Sequence, residues 1–146
     1  MATDWKANLL EDDARILALL RDARRIAVLG IKADAEAEKP AHAVPAYLKA
    51  HGYEVIPVPV RDVGPTVLGL KPYSRVAEVP GAVDIVEVFR KPADIDAHVE
   101  DLIAKKPRAV WFQLGIRNDA AAEQLARAGI QVVQDRCMKI EHHKLG

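Results

Sequence analysis

Seven cationic side chains recur at one kind of place in this sequence. Lys32, Arg61, Arg90, Lys91, Arg117 and Arg136 fall within a few residues after short apolar runs, and Lys39 in the loop that follows the first of them. Guanidinium and ammonium groups gathered at loop ends are suited to phosphate, which they hold through charge-assisted hydrogen bonds. These seven belong to a total of 21 Lys and Arg, matched by 21 Asp and Glu, so the formal net charge is zero. That balance argues against a nucleic acid as partner, because such binders carry a basic excess or a basic stripe. It leaves room for one small phosphorylated ligand.

Covalent or metal chemistry has less support. Cys137 is the single cysteine, so no intramolecular disulfide and no multi-thiolate metal site can form. It follows Asp135-Arg136, and an arginine beside a thiol favours the thiolate. A nucleophile also needs a base and an oxyanion donor, and the sequence points to neither. Cys137 therefore reads as a half-buried structural thiol. His51 at a predicted helix end and His98 in a predicted surface helix read as structural or solvated. His142-His143 are adjacent, which is the pattern of an exposed tail more than of a metal site. Asp84 and Glu87 share one predicted strand at odd separation, so their side chains face opposite sides and form no carboxylate pair. Trp5, Trp111 and Phe112 read as packing aromatics. No complete catalytic constellation stands in the chain.

The elements that must position the cations follow from hydrophobic periodicity. Residues 9–24 carry Ile16 and Leu20 at i, i+4 behind an acidic start, the form of an amphipathic helix. Ile26-Ala27-Val28-Leu29-Gly30 is a short apolar run, as expected of a parallel strand buried on both faces. Residues 42–51 predict a helix with Pro45 in its first turn, where a missing N–H costs little. Tyr53 to Val58 form a second strand, and the Gly- and Pro-rich residues 59–80 a turn with a short helical piece. A third strand covers Val83 to Phe89, and Lys91-Pro92 opens a helix carrying Ile95, Val99, Leu102 and Ile103. Ala109 to Phe112 make a fourth strand. Asn118-Asp119 cap a helix that Gly129 stops, and residues 130–133 make the fifth strand before a polar tail.

This alternation predicts an α/β fold: a Rossmann-like, doubly wound, five-stranded parallel sheet with flanking helices in a single domain. The expected strand order is 3-2-1-4-5. Residues 1–24 are expected to form an N-terminal helix packed on a domain of residues 25–146. The N-terminus lacks an apolar signal core and no apolar run reaches the ~20 residues of a membrane span. A cytoplasmic protein without membrane attachment is the expectation.

In such a sheet the ligand sits beyond the carboxyl ends of the strands. A dinucleotide site would show G-x-G-x-x-G after the first strand and an acid closing the second. The turn here, Gly30-Ile31-Lys32-Ala33-Asp34, has one glycine, and the second strand ends in prolines. NAD is disfavoured on both counts.

Ordered motifs across most of the chain resemble a known family. They are Val28-Leu29-Gly30, Lys39-Pro40, Tyr47-Leu48, the run from His51 to Val58, Leu68-Gly69, the run from Val83 to Arg90, Trp111 to Ile116, Ala128-Gly129-Ile130 and Asp135-Arg136-Cys137. Together they resemble the small bacterial CoA-binding proteins over residues 25–142, and the fold resembles the CoA-binding domain of the succinyl-CoA ligase α subunit. The resemblance implies coenzyme A, or an acyl-CoA, bound at the strand ends. It places Gly30, Ile31 and Lys32, with Lys39, Pro40, Ala41 and His42, against phosphates, the latter at a helix start. It places Val58, Pro59, Arg61, Phe89 and Arg90 along the adenosine and pantetheine path, and Gln113 and Gly115 beside the first turn.

Two positions depart from the family pattern. Ala41 stands where the family commonly has Ser, and Pro59 follows Val58 where it commonly has Asn. Losing both side-chain hydrogen bonds corresponds to roughly 1–3 kcal/mol of ligand binding. The expected function is coenzyme A binding without catalysis, as a carrier, sensor or regulator. The rivals are a subunit of an acyl-CoA ligase or transferase that needs a partner, a binder of another adenosine phosphate, and an interaction module with a dead pocket. A small-molecule partner is expected, with no nucleic acid and no membrane, and a homo-oligomer is left open.

Overall fold

The computed structural model describes residues 4–145. The five apolar runs become strands β1 (Arg25–Leu29), β2 (Glu54–Val58), β3 (Ile85–Val88), β4 (Ala109–Phe112) and β5 (Gln131–Val133), all paired in parallel. Every residue of β3 and β4 is buried. That is why these runs are continuously apolar, Glu87 excepted, and do not alternate.

Helices α1 (Asp13–Asp22), α2 (Pro40–Ala50), α3 (Val99–Lys105), α4 (Asp119–Arg127) and α5 (Met138–His143) cover both faces. Ile16 and Leu20 of α1, Leu48 of α2 and Met138 of α5 pack with Ile26, Val28, Ile85 and Trp111 on one face. Leu102 of α3 and Leu125 of α4 pack with Ala27, Val86, Val110 and Phe112 on the other. The fold is the doubly wound α/β domain with a five-stranded parallel sheet. Its α1 helix shares one apolar layer with β1.

The strand order is β2-β1-β3-β4-β5, which corrects the expected 3-2-1-4-5. Pro57 supplies the reason. It brings no N–H, and its carbonyl accepts the Tyr73 N–H at 2.9 Å, so residue 57 has nothing to offer a second strand. β2 is therefore an edge, and β3 pairs directly with β1.

Several helical segments also differ from expectation. The regular part of the first helix starts at Asp13, behind Asp12, whose side chain accepts the Arg15 N–H. Upstream of it Leu9 bridges to Val132, and the Leu10 N–H bonds the Val132 carbonyl at the β5 edge. The segment after Lys91 runs as 3-10 turns Pro92–Asp94 and Asp96–His98 before α3 begins at Val99. The tail carries α5, whose Met138 and Glu141 are buried although the helix is only six residues long.

Helix α2 begins at Pro40, so Pro45 lies inside it and not in its first turn. The missing Pro45 N–H leaves the Ala41 carbonyl without its helical donor. The Lys32 N–H takes that place at 3.1 Å. A helix defect thus ties α2 to the turn that follows β1.

Candidate functional site

The chain leaves β1 toward β2 on one side, while β3 leads on to β4 on the other. The crevice between the carboxyl ends of β1 and β3 is the switch point of the sheet. Gly30 and Phe89 meet there. A Cβ on Gly30 would stand 2.3 Å from the Phe89 carbonyl oxygen and 3.4 Å from Arg90 Cδ, and Gly30 has φ +88°. Only glycine lets the two strand ends approach this closely.

Three adjoining cavities run across this edge. The central one, about 240 Å³, is lined by Gly30, Ile31 and Lys32, by Arg61, and by Phe89, Arg90 and Lys91. A second, about 390 Å³, shares Lys32, Phe89, Arg90 and Lys91 with it and adds Lys39, Pro40, Ala41, Pro92, Gly115 and Ile116. A third, about 610 Å³, shares Arg61 with the central one and extends over Pro59, Tyr73, Ser74, Arg75 and His98. The result is an elongated groove with a cationic ridge of Lys32, Arg90 and Lys91 between two of its compartments.

The charge in the groove comes from side chains more than from backbone. The Gly30 N–H is donated to the Val58 carbonyl and the Lys32 N–H to Ala41. Among the described residues Lys32, Lys39, Arg61 and Lys91 form no ion pair, whereas Arg90 Nη2 lies 3.7 Å from Asp94. Glu36, Asp62 and Asp94 also line the central cavity, but the second cavity is lined by Lys32, Lys39, Arg90 and Lys91 with no carboxylate.

Of the residues the sequence points to, Gly30, Ile31, Lys32, Lys39, Pro40, Ala41, Pro59, Arg61, Phe89, Arg90 and Gly115 line the groove. His42, Val58 and Gln113 turn inward and are buried. His42 Nε2 is 2.7 Å from Asp34 Oδ1, and the Leu68 N–H donates to the same oxygen. His42 first, and Leu68 second, hold the Asp34 carboxyl below its usual range. This directs the acid of the first turn to partners within the protein.

Arg117 and Arg136 are not in the groove. Arg117 pairs with Asp119. Arg136 bonds Asp13, Glu141 and the Glu11 carbonyl, tying α1 to the end of the chain. Cys137 precedes α5, half-buried against the apolar layer of α1 and α2. Lys91, one of the seven cations of the sequence, also lines the groove. Pro92 and Ile116 line it without having been singled out, and His98, expected to be structural or solvated, stands beside Arg90. Pro92 follows directly on the Arg90-Lys91 pair, so adjacency was the available signal. For His98, a partner eight residues away through two irregular turns gives no periodic signal at all.

Three polar side chains behind the strand ends bury atoms that have no partner among the described residues. Glu87, in the middle of β3, is fully buried with both carboxylate oxygens unpartnered, and burial pushes its carboxyl up to about 8. Gln113 Oε1 and His42 Nδ1 are likewise buried without partners. Among the described residues no group of three or more His, Cys, Asp or Glu is placed to hold a metal ion, and no helix is long and apolar enough to cross a membrane.

A doubly wound parallel domain has its ligand crevice at the switch point of the sheet, and the cationic, partly apolar groove lies there. The family model for the CoA binding domain matches residues 24–143, and the chain is a member of that family. It is 33% identical over 132 residues to the uncharacterized protein YneT of Bacillus subtilis (strain 168), covering 88% of this chain and 93% of that one. Its fold matches a Thermus thermophilus protein, cell-free ID.343, at TM-score 0.87 and 39% identity, over 93% of this chain and 100% of the other. A dinucleotide-forming acetyl-coenzyme A synthetase of Ca. Korarchaeum cryptofilum shares the fold at TM-score 0.66 and 19% identity, over 80% of this chain and 26% of that one.

Proposed function

We propose that this chain binds coenzyme A or an acyl-CoA along the groove at the β1/β3 switch point, and does so as a carrier, sensor or regulator without catalysing a reaction. The observation that carries the reading is the three-compartment groove, joined through Arg61 on one side and the Lys32–Arg90–Lys91 ridge on the other. Coenzyme A is long, with a pyrophosphate between a nucleotide and an apolar arm. The ridge suits the pyrophosphate. The apolar walls of Phe89, Pro40, Pro92 and Ile116 suit the pantetheine end, and the larger polar compartment suits the adenosine 3′-phosphate. Membership of the CoA binding domain family supports the same ligand.

The departures at Ala41 and Pro59 fall on opposite ends of this groove, so each weakens a separate part of the grip. Ser74 and His98 both line the largest compartment, but among the described residues no hydrogen bond joins them and His98 Nε2 accepts from Arg90 instead, which favours binding over turnover.

A thermal-shift panel with coenzyme A, acetyl-CoA, dephospho-CoA, NAD, NADP and ATP tests the reading. A ligand at 100 times its Kd stabilises by about 2.7 kcal/mol, which is a measurable shift. Coenzyme A is expected to shift the midpoint, and Arg90→Glu to abolish that shift. A response to NAD with none to coenzyme A overturns the proposal.

A further inference from the structure

The guanidinium of Arg90 is held in an unusual way for a cation next to an anion site. Its Nε–H donates to His98 Nε2 at 3.2 Å. Its Nη2 is 3.7 Å from Asp94 Oδ2, too long for a hydrogen bond, and its stem lies over Gly30. Arg90 lines the two smaller cavities and His98 the largest, so this one bond spans the groove.

We infer that His98 positions Arg90 for the anionic part of the ligand by acting as a neutral hydrogen-bond acceptor. The inference rests on the proposed coenzyme A site. Its physical basis is a difference between acceptors. A carboxylate bonded to Nε would fix the guanidinium equally well, but it would cancel the charge that a phosphate needs. A neutral imidazole nitrogen fixes the geometry and leaves the full positive charge, with the Nη protons, for the ligand. Asp94, four residues after Arg90, is the ready competitor. Without His98 the guanidinium is free to close the 3.7 Å gap and turn that loose ion pair into a hydrogen-bonded one.

The groups around His98 keep it in the accepting state. Burial and the Arg90 charge lower its pKa, while Asp101 and Asp94 act in the opposite direction and do not prevail. Asp101 is itself engaged by the N–H groups of Val76 and Ala77. From the facing loops Arg61 and Arg75 add positive charge to the same cavity and Asp62 negative charge. With a pKa below the usual imidazole value, His98 accepts from Arg90 at neutral pH. Once protonated it has no lone pair for the bond and repels the guanidinium. The arrangement is therefore present at neutral pH and lost in acid, below the ordinary imidazole range.

The test compares coenzyme A affinity between pH 5 and 8 for the wild type, His98→Gln and His98→Leu. The 3′-phosphate monoester of coenzyme A also titrates near pH 6, and its protonation weakens binding alike in all three proteins, so the differences carry the result. Gln keeps a neutral acceptor and cannot be protonated. Its affinity is expected within about twofold of wild type at pH 7.5 and about tenfold above it at pH 5, with Leu about tenfold weaker than wild type at pH 7.5. In the ligand-free protein the Arg90 Nε–H resonance is expected to move with the same midpoint as the His98 ring. An identical pH profile in wild type and His98→Gln overturns the inference. So does a wild-type affinity that rises in acid relative to Gln, which would make His98 a cationic phosphate ligand. Wild-type protein that fails to bind coenzyme A at every pH overturns the proposed function, and this inference with it. An Nε–H resonance indifferent to His98 titration overturns the inference alone.

Discussion

The Ala41 carbonyl belongs to helix α2 yet is bonded to the Lys32 N–H, 3.1 Å away in the turn after β1. The bond exists because Pro45, four residues on, has no N–H to give. Two sides of the groove, Lys32 and the Lys39–Ala41 segment, are thereby locked together by a residue that lines neither. Pro45→Ala restores a competing helical donor. It is expected to speed hydrogen exchange at the Lys32 amide and to weaken coenzyme A binding a few-fold, with little loss of helix content. Exchange mass spectrometry and a binding isotherm check both parts.

Gly30→Ala is expected to be severe. Its Cβ would fall 2.3 Å from the Phe89 carbonyl oxygen, which is backbone and cannot rotate aside, and φ +88° is strained for alanine. Left-handed strain and overpacking together give a loss on the order of 2–5 kcal/mol. Urea denaturation reads it, and the ligand-induced shift should disappear in the same variant.

Glu87 makes stability depend on pH with a definite sign. Its carboxyl titrates near 4.5 when unfolded and at about 8 when folded. The unfolded chain therefore releases the proton first. Stability is fully present below pH 4.5, declines as pH rises toward 8, and then levels off. The span sets an upper bound on the order of 4–5 kcal/mol. Glu87→Gln removes the titration, so its denaturation midpoint is expected to lose this slope and to exceed wild type above pH 7. A wild-type slope retained in the Gln variant would assign the dependence to another group.

Arg136→Ala separates stability from binding. Arg136 joins Asp13, Glu141 and the Glu11 carbonyl and touches nothing in the groove. Glu141 is buried and keeps only Lys144 when Arg136 is removed, and the bonds to Asp13 and the Glu11 carbonyl go as well, so the expected cost is about 1–3 kcal/mol. Coenzyme A affinity measured well below the melting transition should not change.

Most of the sheet was legible because strands buried on both faces must be apolar throughout, and the runs at Ile26 and Ala109 are. The neighbour order was also present in the sequence, in Pro57, but reading it required asking which strand could tolerate a missing donor. Helix α5 was hidden because six residues with Met138 as the only fully buried apolar side chain give no period to detect. In the site, the cations behind β1, β2 and β3 were visible as adjacency to strand ends. What could not be read was direction. Arg117 and Arg136 look the same in sequence as Arg90, and only Asp119, Asp13 and Glu141 draw them elsewhere. His42 likewise stands in a motif facing the groove, yet Asp34 turns its ring inward.

Pro57 has a further consequence for the molecule among its own copies. An exposed edge strand ordinarily offers unpaired donors and acceptors to any other chain, which is the route to fibrous self-association. At the middle of the β2 edge the donor is missing and the acceptor is already held by Tyr73. The other edge, β5, is capped where Leu10 bonds Val132. Both flanks of the sheet are thus blunted by the chain itself. Concentrated protein should resist templated β-aggregation, and opening the β2 edge by Pro57→Val should raise thioflavin-positive assembly on agitation without disturbing the groove.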